Sequence, residues 1–479
     1  MRKKRDTMKR KYLLIAILVA AVIFAKGQTA TITLNESIET ALKNNIEVKQ
    51  RELLKQSANI NYRQAKNNML PVVQSQFNYG INNGRSIDPF TNGYVNQQLK
   101  SSDMSVQGSL PVFSGFQLKN AIKQNELAFA GATMEWQQRK DELTLQVILA
   151  YLQVLNNQDA ITLAKQQAEV SRQQVERLEI VNSEGATAPG NFYDLKGQYA
   201  GDQLALVNAE NNYASSVLTL TQLMNVPYNN ALVFDRTGVA QDIREFVTLP
   251  EEIYAVALQK LAAVKASELR ISSSTAAVKV ANAARFPTVS LFGGASTNYS
   301  SAAMLNNFVS STDQPNGEYV VYNGSNLPVI SKQDTYKSSP ISYSNQFNNN
   351  ISTGFGVSVR IPIFNSFRTR AAVQLARNEE KNFRLIADNI KLQLRQAIEL
   401  AYVNIQATYK RYQAVKNQAD AYAESFRIAA IRFENGVINS PEYLIAKNNF
   451  DRANANLINV QYEYLLRNKI LDFYMGRLN

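Results

Sequence analysis

One unit occurs twice in this chain at a fixed spacing. From Leu110 the sequence reads LPVFSGF, and from Ile361 it reads IPIFNSF. Pro111 pairs with Pro362, Phe113 with Phe364 and Phe116 with Phe367, each 251 residues apart. The same offset joins Leu149-Ala150-Tyr151 to Leu400-Ala401-Tyr402, Gly185 to Gly436, Tyr213 to Tyr464 and Met224 to Met475. A register held over that length points to one structural unit used twice. Any fold for this chain must therefore contain two equivalent halves.

Each half changes its hydrophobic period in the same order. In the first, Thr33-Leu34-Asn35-Glu36 reads as a capping box opening a helix to about Met69, which Pro71 ends. Val72–Ile81 and Met104–Val112 then alternate with period two, predicting two strands about a polar loop. From Ser114 a 4-3 seam (Leu143, Val147, Ala150, Val154, Ile161, Ala164, Ala168, Val175, Leu178) predicts a helix to about Glu184, with Asn157 and Ser171 as polar interruptions. Gly185 suits the helix end, and Pro189-Gly190 restarts a helix that runs to Leu223. The second half repeats this. Thr248-Leu249-Pro250-Glu251 predicts a second capping box, Pro287 ends that helix, and Val289–Tyr299 and Phe355–Ile361 alternate. A second seam from Leu394 to Phe426 leads to Gly436, with a returning helix from about Ser440 to Tyr474. Residues 300–350, rich in Ser, Asn, Gly and Tyr, read as a long loop, and 228–247 as a linker.

The chain has 479 residues with no cysteine and no histidine. Thiolate and imidazole ligands, a cysteine nucleophile and a Ser-His-Asp triad are therefore excluded. No phosphate loop or metal cluster stands out, so no cofactor is expected. The net charge of +12 is concentrated in the first eleven residues, which hold seven basic groups and one acid. Without residues 1–27 the charge is +5, which needs no nucleic-acid partner. Those residues have the three parts of a secretory signal peptide: a basic start, the apolar run Tyr12–Ala25, and small residues at Ala25 and Gly27. The run is shorter than the roughly 20 residues of a membrane-spanning helix. An exported chain without such a helix is either soluble outside the inner membrane or spans the outer membrane as strands.

The order of elements puts both strand pairs at one end of the long helices and both glycine tips at the other. Four strands cannot close a membrane barrel, whose smallest members have eight, and an open sheet cannot face lipid. A ring of identical chains solves this, and three copies give twelve strands.

This layout, with its L/I-P-V/I-F-x-x-F turns (Pro111, Phe113, Pro362, Phe364) and glycine tips, resembles the TolC-like outer-membrane efflux protein family over residues 28–479. The resemblance implies a mainly α fold with a membrane β-barrel. Long antiparallel helical hairpins would form an α-barrel tunnel, and each chain of a homotrimer would contribute four strands to a shared twelve-stranded barrel. It implies two efflux-protein repeats, 28–227 and 248–479, joined by 228–247. It implies an outer-membrane exit duct for efflux or type I secretion, with its tunnel in the periplasm. The tips Gly185 and Gly436 would dock a periplasmic adaptor protein driven by an inner-membrane pump. The family's acidic entrance positions fall here on Glu442 and Ile445, and in the first half on Asn191 and Asp194, so Glu442 and Asp194 are the gating candidates. Glu442 also follows Pro441 near a helix start, where an acid is favoured by the helix dipole alone. The competing function is a non-enzymatic periplasmic coiled-coil scaffold. An exported carboxylate enzyme is a third class, and it lacks an acid/base pair at a cleft.

Overall fold

The computed structural model describes residues 31–89, 91–183, 189–229, 232–236 and 243–477. The expected signal peptide and Gly185 lie outside these residues. In chain order the first half holds β1 (Thr31–Ile32), α1 (Leu34–Asn44), α2 (Ile46–Asn67), β2 (Val72–Asn82), β3 (Arg85–Ile87), β4 (Tyr94–Asn96), β5 (Leu99–Ser114), α3 (Gln117–Ser183) and α4 (Pro189–Met224). Then follow β6 (Val233–Phe234), α5 (Pro250–Lys260), α6 (Ala262–Ala283), β7 (Thr288–Ser300), β8 (Met304–Tyr322), β9 (Ser325–Pro340), α7 (Tyr343–Asn349), β10 (Ser352–Arg360), α8 (Arg368–Glu434) and α9 (Ser440–Tyr474). The long helices α3 and α8 each have 67 residues, and both start and end 251 apart. At about 1.5 Å per residue each is about 100 Å long.

The capping box at Thr33 forms as its spacing predicts. The Thr33 hydroxyl accepts the Glu36 amide at 3.2 Å, and the Glu36 carboxylate accepts the Thr33 amide at 2.9 Å. The single helix expected as far as Met69 is broken at Asn45, which is extended. Its side-chain oxygen accepts the amides of Glu47 and Val48, so one asparagine ends α1 and caps α2. The second half breaks at the equivalent Leu261, also extended. The second capping box does not form. Leu249, not Thr248, is the N-cap and makes no side-chain bond, so Pro250 at the first helical position sets the start alone.

The described residues form two compact units that divide the chain differently from the two halves. The helical unit takes residues up to Asn59, Leu127–Ser272 and those from Lys381 onward. Its core is duplicated. One cluster gathers Val147, Val154, Leu220 and Met224 under Ala41 of α1, while the other gathers Ile398, Ile405, Leu471 and Met475 under Ala257 of α5. The four long-helix positions match at the 251 offset and include seam residues of α3 and α8, while Ala41 and Ala257 match at an offset of 216. The linker is fastened to this unit by tyrosines. The Tyr151 hydroxyl lies 2.9 Å from the Ile32 carbonyl and 2.6 Å from that of Asp235, bracketing the parallel β1–β6 pair. Burial, with the Asp235 carboxylate adding to it, pushes this phenol up to about 12. Tyr464 donates to the Arg244 carbonyl, and the Gln406 amide to that of Phe246 at 2.7 Å.

The sheet unit takes Ile60–Glu126 and Ser273–Glu380. Its four long strands pair antiparallel in the order β10-β7-β5-β2. The long loop expected over 300–350 is instead largely ordered. β8 and β9 form a hairpin that closes at Asn323-Gly324, both at positive φ as a type I′ turn requires. Its root is held by α7. Buried Gln346 accepts the Ser300 amide at 2.9 Å and donates to the carbonyls of Ser300 (3.0 Å) and Ile341 (2.9 Å). The polar loop of the first half likewise contains the short β3–β4 hairpin.

Candidate functional site

The helix tip of the second half is built by local rules. Gly436, at φ 68°, ends α8 in a Schellman motif: its amide bonds Phe433 at 3.1 Å and the Val437 amide bonds Arg432 at 2.8 Å. Three residues on, the Asn439 side chain accepts the Glu442 amide at 3.1 Å and caps α9. The capping is thus done by Asn439, and the Glu442 carboxylate stands exposed in the first turn. Asp194 meets the same tip by another route. The buried Ser440 hydroxyl lies 2.9 Å from both Asp194 Oδ2 and Asn191 Oδ1, tying the start of α9 to that of α4. Arg177 donates to the Glu434 carbonyl at 2.9 Å, joining the last turns of α3 and α8.

Sequence reasoning missed a buried ionic cluster further along. Lys447, 1% exposed, sits 2.8 Å from Asp202 and 2.5 Å from Asp451. Ser171, one of the expected polar interruptions of the α3 seam, donates to Asp202 at 2.5 Å, and Gln198 donates to its other oxygen at 2.8 Å. The cluster joins α3, α4 and α9. Burial pushes the Asp451 carboxyl up against the opposing pull of Lys447. Burial also raises the Tyr443 phenol, and Asp451, Glu434 and Asp202 add to that shift. Its ring stacks on Phe433 at 4.7 Å. Lys447 and Asp451, four apart, were visible in the sequence as an ordinary helix pair. Nothing local announced Asp202.

The two strand-to-helix turns share one geometry. Gly115 and Phe116 in the first, and Ser366 and Phe367 in the second, are consecutive left-handed residues. Phe113 meets Phe116 edge-to-face at 5.4 Å, and Phe364 meets Phe367 at the same distance. Only the first turn demands glycine sterically, since a Cβ there would lie 2.6 Å from Phe286 Cβ. Pro111 sits inside β5 at a register shift, where a bulge spares the missing donor, whereas β10 ends before Pro362.

The registered strands sort the sheet into two chemically distinct faces. One carries Gln74, Gln76 and Asn78 of β2, then Ser105 and Gln107 of β5, Ser296 and Gly294 of β7, and Ser352 and Gly354 of β10. The other carries Val73 and Phe77, then Met104 and Val106, Leu291 and Ala295, and Phe355, Val357 and Val359. The polar face lines a concavity of about 520 Å³. The apolar face is uncovered along β2 and β10: Val73 is 68% and Phe355 94% exposed. The aromatic residues Phe77, Tyr79, Tyr299 and Phe355 share this face, and Tyr299 packs on Tyr343 of α7 at 4.7 Å. Among the described residues, the outer edges of β2 and β10 have no strand partner.

A family profile described as "Outer membrane efflux protein" matches residues 37–226 and 253–477, most of both halves. The chain belongs to the outer membrane efflux protein family. Membership carries the role of a non-catalytic outer-membrane exit duct of a tripartite transport system, as the sequence resemblance implied. Among curated proteins, this efflux protein is 21% identical to Protein CyaE of Bordetella pertussis over 388 residues, covering 81% of this chain and 73% of that protein. Its fold is similar to the CmeC outer membrane channel of Campylobacter jejuni, with a TM-score of 0.71 at 16% identity, covering 93% of this chain and 85% of that one. It is equally similar to the outer membrane protein VceC of Vibrio cholerae, with a TM-score of 0.70 at 14% identity, covering 92% and 96%. Among its described residues no helix is long and apolar enough to cross a membrane, and no group of three or more acidic side chains could hold a metal ion.

Proposed function

We propose that this efflux protein works as a homotrimer, each chain supplying one third of a twelve-stranded barrel in the outer membrane. The observation that carries this is the sheet. Its apolar face lies open, its polar face is concave, and its two outer edges lack partners among the described residues. In water such a face would be an aggregation site, and in lipid such edges are forbidden. Joining β10 of one copy to β2 of the next removes both faults, and three copies close the ring. Tyr299, Tyr343 and Phe347 then lie at the loop end of the lipid face, where interfacial aromatics are favoured.

In this reading residues 1–27 direct export, and 28–227 and 248–479 are two efflux-protein repeats joined by 228–247. The long hairpins stand in the periplasm as a tunnel. Gly185 and Gly436 mark the tips that dock a periplasmic adaptor, itself driven by an inner-membrane pump. Glu442 and Asp194 belong to the tunnel entrance. The cargo is chosen by the pump.

The deciding experiment is detergent extraction of the outer-membrane fraction, followed by light scattering of the purified particle. A membrane-derived trimer is expected. A monomer or dimer soluble in buffer would remove the barrel and leave a periplasmic coiled-coil scaffold.

A further inference from the structure

Phe292 puts a phenyl ring on the polar face of the sheet. Its register partners are Ser109 on β5 and Gly356 on β10. A Cβ built on Gly356 would come within 2.7 Å of Phe292 Cζ and 3.1 Å of Cε1, so the ring lies over that glycine. Gly354, the next residue of this face on β10, has nothing within 4 Å of such a Cβ, which leaves the wall beside the ring open. Gln74, Gln107 and Ser352, together with Val72, also line the same concavity. The ring is 52% exposed, although a phenyl group is normally buried.

The surrounding wall is uncharged. The nearest charged positions on this face of the strands are Arg360, four residues along β10 from Gly356, and Asp103, level with Asn298 on β7. At about 3.3 Å per residue these lie roughly 13 Å and 20 Å away along the strands. An exposed ring set among serine, glutamine and glycine can offer a passing solute its π face without competition from an ion pair.

We propose that Phe292 is a contact point for aromatic solutes inside the duct. The inference rests on the reading that the polar face lines a lumen shared by three chains, in which case three rings stand at one level. A purely structural role is the alternative, since aromatic side chains also cover bare glycine backbone. Leucine serves that covering role almost as well but presents no π face.

The test is current through the purified protein in a planar bilayer, blocked by tetraphenylphosphonium or by tetraethylammonium. Wild type should be half-blocked by tetraphenylphosphonium at a concentration roughly tenfold below that needed for Phe292→Leu, with tetraethylammonium unable to tell them apart. Gly356→Ala, which forces the ring from its place while keeping it in the chain, should weaken the aromatic block in the same direction. Light scattering of both variants checks that the trimer is retained. Equal block of wild type and Phe292→Leu by tetraphenylphosphonium overturns the aromatic contact and leaves the duct standing. A wild-type particle that is not trimeric, or that carries no current, overturns the duct and this inference together.

Discussion

Lys447 shows how a single buried charge ties three helices together. It answers two carboxylates at once, and Ser171 and Gln198 take up the remaining capacity of Asp202. Lys447→Met leaves the buried Asp202 and the part-buried Asp451 without a counter-charge, and loss of one partner of a buried pair costs about 3–5 kcal/mol. Urea unfolding followed by circular dichroism should register that loss. Asp451 gives the cluster a pH signature. Its native pKa is raised above the ordinary 3.8, so the folded state holds the proton more tightly than the unfolded chain does. Its contribution is fully present below the ordinary value and is lost as pH rises through the raised one. The urea midpoint should therefore carry a downward component across that window, and Asp451→Asn should remove it. At the tip, Asn439 already caps α9, which leaves Glu442 free to act on ions. Glu442→Gln should lower the cation preference of the reconstituted duct, read from the reversal potential in a salt gradient. An unchanged reversal potential would take Glu442 out of the entrance. Of these residues, Glu442 and Asp194 were singled out by the family resemblance, counted from the tip glycines. The cluster around Lys447 was not, because Asp202 arrives from another helix.

Among elements, the helices were legible and the β8–β9 arm was not. Long helices advertise themselves through a seam repeated many times, and the starts of α8 and α9 follow from those of α3 and α4. The arm has no such signal. Asn306, Ser311, Thr312, Gln314 and Gln333 give neither face an apolar identity, so period-two alternation is absent, and only Asn323-Gly324 speaks for a hairpin. Asn45 and Leu261 were missed for a related reason: a one-residue break leaves the apolar pattern on either side in place. The arm is also separable. The Ile341 amide bonds the Ala303 carbonyl at 3.1 Å across its root, and Gln346 braces the same point without using any residue of the arm. Replacing 304–340 by a short Asn-Gly turn should therefore leave assembly and conductance unchanged, as light scattering and planar-bilayer recording would report. Loss of the trimer would mean that the arm takes part in closing the sheet.

For the molecule as a whole, the equal lengths of the two hairpins matter more than their sequences. The helix starts coincide at one offset, and contacts from Arg177 to Glu434 and from Ser440 to Asp194 tie the end of α3 to that of α8 and the start of α9 to that of α4. A seven-residue insertion into both arms of one hairpin keeps its seam in phase but advances its tip by about 10 Å. Export measured in a strain lacking the native protein should fail with that insertion. It should recover when the other hairpin receives the same seven residues, provided the adaptor tolerates the added reach. The helical shaft thus acts as a gauge block, with a length setting written in four places that must be changed together. The β8–β9 arm answers to no such setting and can be edited one residue at a time. Lineages carrying this architecture should accordingly vary freely in the arm, while the shafts change only in paired, seam-preserving steps.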